Sequence, residues 1–258
     1  MTAVASTLIA LIFAFLLVNT VQGVRRRRQV LAVLAQRRAR FFRNSIAGMV
    51  VLVLAGAVAV AAHPDLTAAD VGWRLPGGYW TDYLYTGYLL VLLIVVHRRS
   101  RTGPLSPATA ALLPTTTRER RLAGGTAVAF GVGEEFLYRG LLIAVGTELL
   151  GLPLWVAAVL GWVLFVAAHA YQGGRGMITV GLLGLIFTML YLSSMSLLLP
   201  MLMHTLWDAV LLLLIRPRRA AGEQVAAETP VIVEPPVPVD EPPVPVFEPL
   251  RLRSAAPD

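Results

Sequence analysis

Six ionisable residues interrupt the long apolar stretches of this sequence. They are two neighbouring glutamates, an arginine, two histidines and an aspartate: Glu134, Glu135, Arg139, His169, His204 and Asp208. An ionised side chain at the centre of a membrane helix costs about 3 kcal/mol on insertion scales, so such residues are retained for a purpose. Carboxylates and imidazoles in one apolar site can activate water or bind a metal ion. These six residues are the candidate functional site.

Helical spacing divides the six residues into groups with different expected roles. Glu135 and Arg139 are four residues apart, so they can meet on one helix face, and we predict a buried structural ion pair. Glu134 is rotated by about 100° from Glu135, so it can face the interior of the bundle while its neighbour makes the ion pair. His204 and Asp208 are also four apart, which suits two ligands of one metal ion or a histidine oriented by a carboxylate.

The elements that position these residues are membrane helices. Of the 258 residues, 57% are hydrophobic and 14% are charged, a composition that excludes a soluble globular protein. The absence of cysteine excludes disulfides, thiolate metal sites and cysteine nucleophiles. We predict an all-α polytopic membrane helix bundle with about seven transmembrane helices, since that many apolar stretches are long enough to span a bilayer. The predicted spans are 2–24, 45–63, 79–97, 122–147, 152–170, 177–193 and 196–215.

The arginines predict the orientation of this bundle. All 22 basic residues are arginine, and 18 of them flank the spans on one side, whereas the loops on the other side contain only Arg74. The positive-inside rule assigns the arginine-rich side to the cytosol, so we predict an outside N-terminus and a cytosolic C-terminus in the cell membrane. Arginines between apolar runs argue against a nucleic-acid partner. Heavy use of arginine and alanine without lysine indicates a bacterial source.

The C-terminal residues differ from the rest of the chain. Residues 217–258 are rich in proline, valine and glutamate, and Glu-Pro-Pro-Val-Pro-Val occurs at 234–239 and again at 241–246. We predict a disordered tail, which is either a solvated extension or a ligand for a polyproline-binding partner. The chain then divides into residues 1–120 with the first three spans and arginine-rich loops, residues 121–216 with the six candidate residues, and the tail.

Three short motifs resemble those of the CPBP intramembrane proteases, the family of the type II CAAX prenyl endopeptidases and their bacteriocin-immunity relatives. The first motif of that family is similar to Glu134-Glu135-x-x-x-Arg139, the second to Phe165-x-x-x-His169, and the third to His204-x-x-x-Asp208. The three motifs follow in the family's order, each on its own apolar span. The resemblance covers the segment from about 120 to 215, and it implies that residues 121–216 are the catalytic part.

The resemblance implies a membrane-embedded endopeptidase with Glu134 as general base, His169 and His204 at the reaction centre, and Asp208 completing it. The version we favour holds zinc between His169, His204 and Asp208, with an open position for water. In the metal-free alternative, Glu134 and His169 activate water, while His204 and residue 208 donate hydrogen bonds to the oxyanion. An ionised aspartate cannot donate a hydrogen bond, which favours Asp208 as a zinc ligand or as an orienting group.

Two other functions are compatible with such a bundle. A non-catalytic scaffold or bacteriocin-immunity protein would keep the fold and use the tail for contacts, but it has no reason to keep costly polar groups in the membrane. A proton-coupled transporter also uses intramembrane Glu and His, but such proteins typically contain inverted repeats, and here the polar residues all lie in the second half. For the protease we expect membrane lipid and a peptide or protein substrate as partners, with cleavage near the cytosolic membrane face.

Overall fold

The computed structural model describes residues 2–26, 29, 36–100 and 107–215. Within these ranges every regular element is a helix and there is no strand, which confirms the predicted all-α fold. The described residues all belong to one compact unit, Met1–Arg218. The predicted tail, residues 217–258, lies outside the described residues.

The long helices coincide with the apolar stretches of the sequence. They are α1 (Thr2–Arg25), α2 (Arg38–Ala62), α3 (Trp80–Ser100), α4 (Pro107–Leu112), α5 (Thr117–Glu135), α6 (Leu154–Ala168), α7 (Gly174–Ser194) and α8 (Leu198–Ala209). The short α4 is the exception, because it lies in a segment predicted as a loop. Each of the seven predicted spans overlaps one of the other helices, so the sequence pattern identified these elements correctly.

Two of these helices continue as wider π-helical turns. α5 runs on through π-helical Phe136–Leu141, α-helical Leu142–Ala144 and π-helical Val145–Leu149, and α8 runs on through π-helical Val210–Leu214. A 3-10 helix, Ala170–Gln172, connects α6 to α7. π-Helical turns occur frequently at functional sites. Here one of them begins directly after the two neighbouring glutamates.

Four described helices are long and apolar enough to cross a membrane: Thr2–Arg25, Arg38–Ala62, Trp80–Arg98 and Gly176–Ser194. Leu154–Ala168 and Leu198–Leu214 are shorter apolar helices. The predicted span 122–147 is not among the four, and it contains the charged residues Glu134, Glu135 and Arg139. Whether the predicted spans 122–147, 152–170 and 196–215 cross the membrane is therefore still a prediction.

Glycines let α5 approach its neighbours closely. A Cβ atom on Gly131 would collide with the backbone of Thr205 on α8, and one on Gly133 would collide with the side chain of Met49 on α2. Small residues at such positions allow membrane helices to pack backbone against backbone. The contact at Thr205 matters most, because the preceding residue of α8 is His204. It brings that histidine next to the glutamates of α5.

The segment between α2 and α3 fixes the turn that leads into α8. The backbone N–H of Leu197 donates to the carbonyl oxygen of Gly72 at 2.9 Å, and the Ser196 hydroxyl donates to the carbonyl oxygen of Arg74 at 2.5 Å. The Arg74 side chain in turn donates from Nε to the carbonyl oxygen of Met195 at 2.7 Å. These bonds satisfy backbone groups at the start of α8 and hold its first residues in place.

The first turn of α5 is held from the opposite end of the bundle. Arg38 at the start of α2 lies with Nη1 3.2 Å from Glu119 Oε2, and its Nε donates to the carbonyl oxygen of Ala111 at 2.8 Å. The hydroxyl of Thr116 accepts a hydrogen bond from the backbone N–H of Glu119 and caps the helix. Arg120 donates to the carbonyl oxygen of Leu213 at 2.9 Å. Hydrogen bonds therefore fix the α5 and α8 pair at both ends.

Candidate active site

The last two residues of α5 are the glutamates of the first motif. Glu134 is 8% exposed and Glu135 is fully buried. Adjacent residues of a helix point about 100° apart, so the two carboxylates face different neighbours. Glu134 faces His169 and His204, whereas Glu135 faces Arg139 and the other side of His204.

Arg139 and Glu135 form a buried ion pair with 3.0 Å between Nη1 and Oε1. Arg139 is 1% exposed, and Nη2 donates to the carbonyl oxygen of Gly184 at 2.9 Å. Its guanidinium carbon lies 4.2 Å from the centre of the Phe165 ring, a cation–π contact. The i to i+4 spacing predicts this pairing, and the contacts from α6 and α7 show why the charge is tolerated inside the bundle.

His204 lies between the two carboxylates of α5. Its Nδ1 is 2.7 Å from Oε1 of Glu135, and because an ionised carboxylate only accepts hydrogen bonds, Nδ1 carries the proton that is donated. Its Nε2 is 3.8 Å from Oε2 of Glu134. The ring also stacks against Phe187, with centroids 5.0 Å apart and planes at 20°. The orientation of the imidazole is therefore fixed on three sides.

His169 is held in the same way by a different acceptor. It follows the last residue of α6, and its Nδ1 lies 2.8 Å from the carbonyl oxygen of Phe165. A carbonyl oxygen only accepts, so Nδ1 of His169 is again the protonated nitrogen. Its Nε2 lies 3.9 Å from Oε2 of Glu134. The aromatic ring of Phe165, with its centroid 4.7 Å away, supports the imidazole.

Two imidazole nitrogens therefore face the same carboxylate oxygen. The separations of 3.8 and 3.9 Å between these nitrogens and Oε2 of Glu134 are too long for direct hydrogen bonds. Separations of this size suit a water molecule that bridges polar groups. The side chains of Glu134 and His169 keep 10% and 16% of their surface accessible, so the site is largely enclosed. Such an arrangement can hold water against a general base.

Asp208 lies one turn beyond His204 on α8. Its Oδ2 is 4.0 Å from Nε2 of His204, and its side chain is 24% exposed. The structure thus brings together all six residues predicted from the sequence. Sequence reasoning missed that Glu135, rather than Asp208, binds Nδ1 of His204, because the two residues are 69 positions apart and no local spacing indicates the contact.

The predicted zinc site requires His169, His204 and Asp208 to converge on one point. In the part of the chain that the structure describes, no group of three or more His, Cys, Asp or Glu side chains could hold a metal ion. The donors present face Glu134 instead of a common centre. We therefore derive no step through zinc, and the cofactor is still a prediction.

Comparison with known protein families identifies the segment that contains this site. The family model described as "Type II CAAX prenyl endopeptidase Rce1-like" matches residues 121–210, which include all six candidate residues. Residues 121–210 are an Rce1-like domain. This confirms the resemblance inferred from the three motifs, for about a third of the chain. Comparisons with curated proteins and with solved structures give no match.

The Rce1-like domain is of the CAAX-type intramembrane protease family. Together with the long apolar helices, this makes the chain a membrane protein with a protease-type domain. The domain extends from the first turns of α5 to the end of α8. It thus contains the elements that carry the glutamates and both histidines, while α1, α2 and α3 lie outside it.

Proposed function

We propose that the Rce1-like domain is an intramembrane endopeptidase in which Glu134 activates the attacking water. The observation that carries this proposal is the convergence of two imidazole Nε2 atoms on Oε2 of Glu134, at 3.9 Å for His169 and 3.8 Å for His204. Both Nδ1 atoms are engaged elsewhere, so both Nε2 atoms are directed towards the carboxylate. A base needs this kind of fixed, enclosed geometry to remove a proton from water.

The proposed reaction is a general-base hydrolysis. Water donates one hydrogen bond to Glu134 and one to Nε2 of His169, and its oxygen attacks the peptide carbonyl carbon while its proton passes to Glu134. The carbonyl π electrons move onto oxygen, and protonated His204 donates from Nε2 to this oxyanion. The tetrahedral intermediate then collapses, the C–N bond breaks, and the leaving nitrogen takes the proton from Glu134. Water and peptide give one carboxylic acid and one amine.

The remaining polar residues support His204. Glu135 accepts from its Nδ1 and fixes the direction of Nε2, while Arg139 balances the charge of that carboxylate. Asp208, with Oδ2 4.0 Å from Nε2, adds negative charge where the imidazolium forms. This division of roles resembles other sites in which a carboxylate orients a catalytic histidine.

The test of the proposal compares Glu134→Gln with wild type in cells. The substitution keeps the shape of the side chain and removes the base, so we expect proteolysis to fall by about 10²- to 10⁴-fold or more while the protein still accumulates. Glu148→Gln, an exposed position later in the same helical segment, is the matched control. The readout is a proteome-wide comparison of membrane-protein termini. Identical termini in wild-type and Glu134→Gln cells would overturn the protease in favour of a non-catalytic scaffold or immunity protein.

We propose a peptide or protein held near the cytosolic membrane face as the substrate. The family description names prenylated CAAX peptides as the substrate class of the domain's relatives. Two internally quenched peptides ending in a CAAX sequence, one farnesylated on cysteine and one unmodified, test whether a prenyl group is required. Cleavage of the farnesylated peptide alone would assign the prenyl specificity to this chain. Cleavage of both would assign it a broader peptide specificity.

The cytosolic location rests on the arginine distribution and can be tested by labelling. The wild type contains no cysteine, so single introduced thiols report on topology without background. We expect Gln36→Cys to be labelled by an impermeant reagent only in opened cells, and Leu75→Cys, which is 81% exposed, to be labelled in intact cells. Labelling of residue 36 in intact cells would reverse the proposed orientation.

Metal content separates the two versions of the mechanism. In the metal-free version, for which the described donors form no metal site, the purified wild type, Glu134→Gln and His204→Ala lack stoichiometric zinc and cleavage survives a chelator. Stoichiometric zinc in wild type and Glu134→Gln that is lost in His204→Ala would instead show a metalloprotease. Inductively coupled plasma mass spectrometry measures the zinc content of the three proteins.

A further inference from the structure

An apolar groove lies between α1, the continuation of α5 and α6. Its volume is about 420 Å³. The described residues that line it are aliphatic, aromatic or glycine, and they include none of the six candidate site residues. Phe13 of α1 forms one wall, residues between Leu142 and Leu152 form the second, and residues between Ala157 and Ala167 of α6 form the third. The groove is therefore separate from the candidate active site.

One side of the groove is open, and buried residues form the other. Leu160 at the rim is 50% exposed, whereas Val145 and Ala157 are 6% and 0% exposed. A Cβ atom on Gly146 would lie 2.7 Å from Cβ of Ala157, so the continuation of α5 and α6 meet closely at these two lining residues. The rim continues into the outward face of α6, where Val159 is 48% exposed. In a membrane protein, an exposed apolar face of this kind contacts lipid.

The length of the groove matches one leaflet of a bilayer. The lining residues Ala157, Leu160, Leu164 and Ala167 recur at intervals of three or four, so they form one stripe along α6. At 1.5 Å per residue this stripe is about 15 Å long, which is half of a hydrocarbon core of about 30 Å. The predicted span 152–170 begins at the turn before α6. A hydrocarbon chain that enters at this turn therefore reaches the far end of the stripe near the bilayer midplane.

An unfilled groove between membrane helices would lose packing contacts. Helices in lipid are held together by dispersion contacts and close packing, and a gap removes those contacts from the residues around it. Water cannot fill an apolar groove, because it finds no polar partners there. A lipid chain in the groove would contact three helical segments, whereas a chain on the outward face of α6 contacts one. Dispersion therefore favours a chain that stays in the groove over one in the surrounding bilayer.

We propose that this groove binds one acyl chain of a membrane phospholipid, whose headgroup lies at the turn between the continuation of α5 and α6. The bound chain packs along α6 and fills the space beside α1. The same helix carries Phe165 and ends immediately before His169. A resident lipid thus supports the helix that positions the second motif, from a face that the candidate site does not use.

The test uses the full-length protein in nanodiscs that contain a phosphatidylethanolamine with a photoactivatable diazirine on its palmitoyl chain. Mass spectrometry locates the cross-linked residues. With the diazirine next to the ester, we expect label at Leu150 and Leu152, and with the diazirine at the end of the chain, we expect label at Leu164 and Ala167. Label spread evenly over the outward face of α6, Val159 included, would show surrounding bilayer lipid only and would overturn the proposal.

Two neighbouring residues of α6 provide a matched pair of variants. Leu160 lines the groove and Val159 does not, although they are 50% and 48% exposed. Leu160→Trp fills the groove, so we expect labelling of the lining residues to fall by about ten-fold, and to stay within about two-fold of wild type in Val159→Trp. Equal labelling in the two variants overturns the site. If Leu160→Trp does not accumulate, the depth of labelling in wild type decides.

Competition identifies the source of the bound chain. We expect the farnesylated CAAX peptide to leave the labelling of the lining residues unchanged. Displacement of the phospholipid label by this peptide, but not by the unmodified peptide, would overturn the proposal and assign the groove to a prenyl chain of a substrate. Photolabelling does not require proteolysis, so its outcome is independent of the proposed endopeptidase activity.

Discussion

Helix α3 turns large apolar side chains outward, whereas the end of α5 is enclosed by other helices. On α3, Leu84, Val91 and Ile94 are 56%, 61% and 55% exposed, a surface that suits contact with lipid. On α5, Glu134 is 8% exposed and Glu135 is fully buried. Ionised groups are thus carried by the helix whose neighbours are protein, where partners can be placed around each charge. On α3, by contrast, the buried carboxylate of Asp82 lies in the first turn, where the Ser193 hydroxyl donates to it.

The largest expected effect of breaking these contacts comes from Glu135→Gln. This change leaves Arg139 as a buried charge without its partner, a loss of about 3–5 kcal/mol in the free energy of unfolding. Adding Arg139→Met removes the stranded charge, so we expect the double variant to accumulate again. We expect it to stay inactive, however, because Nδ1 of His204 has lost its carboxylate acceptor. Yield from detergent extraction and peptide cleavage measure the two effects.

Glu148→Gln again provides a matched control, since it changes an exposed glutamate within the π-helical turn Val145–Leu149, later in the same continuous helical segment. Normal accumulation of Glu135→Gln would contradict the buried ion pair. Full cleavage by the double variant would contradict the orienting role of Glu135.

Close packing of α5 against α8 gives the next largest effect. A Cβ on Gly131 would collide with the backbone of Thr205, which cannot move without shifting α8, so Gly131→Ala should cost about 1–3 kcal/mol and lower cleavage. Gly124→Ala on the same helix is the control, because its Cβ would meet only the end of the Leu213 side chain at 3.8 Å. Thermal denaturation in detergent and peptide cleavage would both distinguish them. Equal behaviour of the two alanine variants would show that the α5 and α8 contact does not position His204.

The smallest effect is expected at the first turn of α5. Burial raises the pKa of Glu119, but hydrogen bonds from Thr115 and the nearby Arg38 outweigh this and hold the pKa below its ordinary value of 4.5. A carboxyl group with a depressed folded-state pKa stabilises the fold above its unfolded-state pKa, and this stabilisation is lost as the pH falls through the folded-state pKa. Glu119→Gln should therefore cost about 1 kcal/mol or less at pH 7 and nothing once Glu119 is protonated.

Thermal denaturation followed from pH 7 down through the range in which Glu119 becomes protonated tests this sign, since both proteins lack the charge below that range. A difference between wild type and Glu119→Gln that persists at low pH would mean that hydrogen bonding by the neutral side chain, not the charge, joins α2 to α5.

Local spacing accounts for what the sequence could predict. The apolar runs gave the helices, and the four-residue spacing gave the pairing of Glu135 with Arg139, because both depend only on helical periodicity. The contact between Glu135 and His204 depends on how α8 crosses α5, which no short pattern encodes. The π-helical continuation after Glu135 likewise has no signal in the local spacing.

The glycine contacts of α5 and its continuation show which parts of the chain outside the family segment pack against it. Gly133 packs against Met49, Gly140 against the carbonyl oxygen of Val71, and the Phe136 ring against Gly56. Each partner lies before residue 121, where the family segment begins. A fragment cut at the family boundaries would therefore lose these contacts on α5 and its continuation. Transplanting the site into another scaffold would have to bring α2 and the loop that follows it.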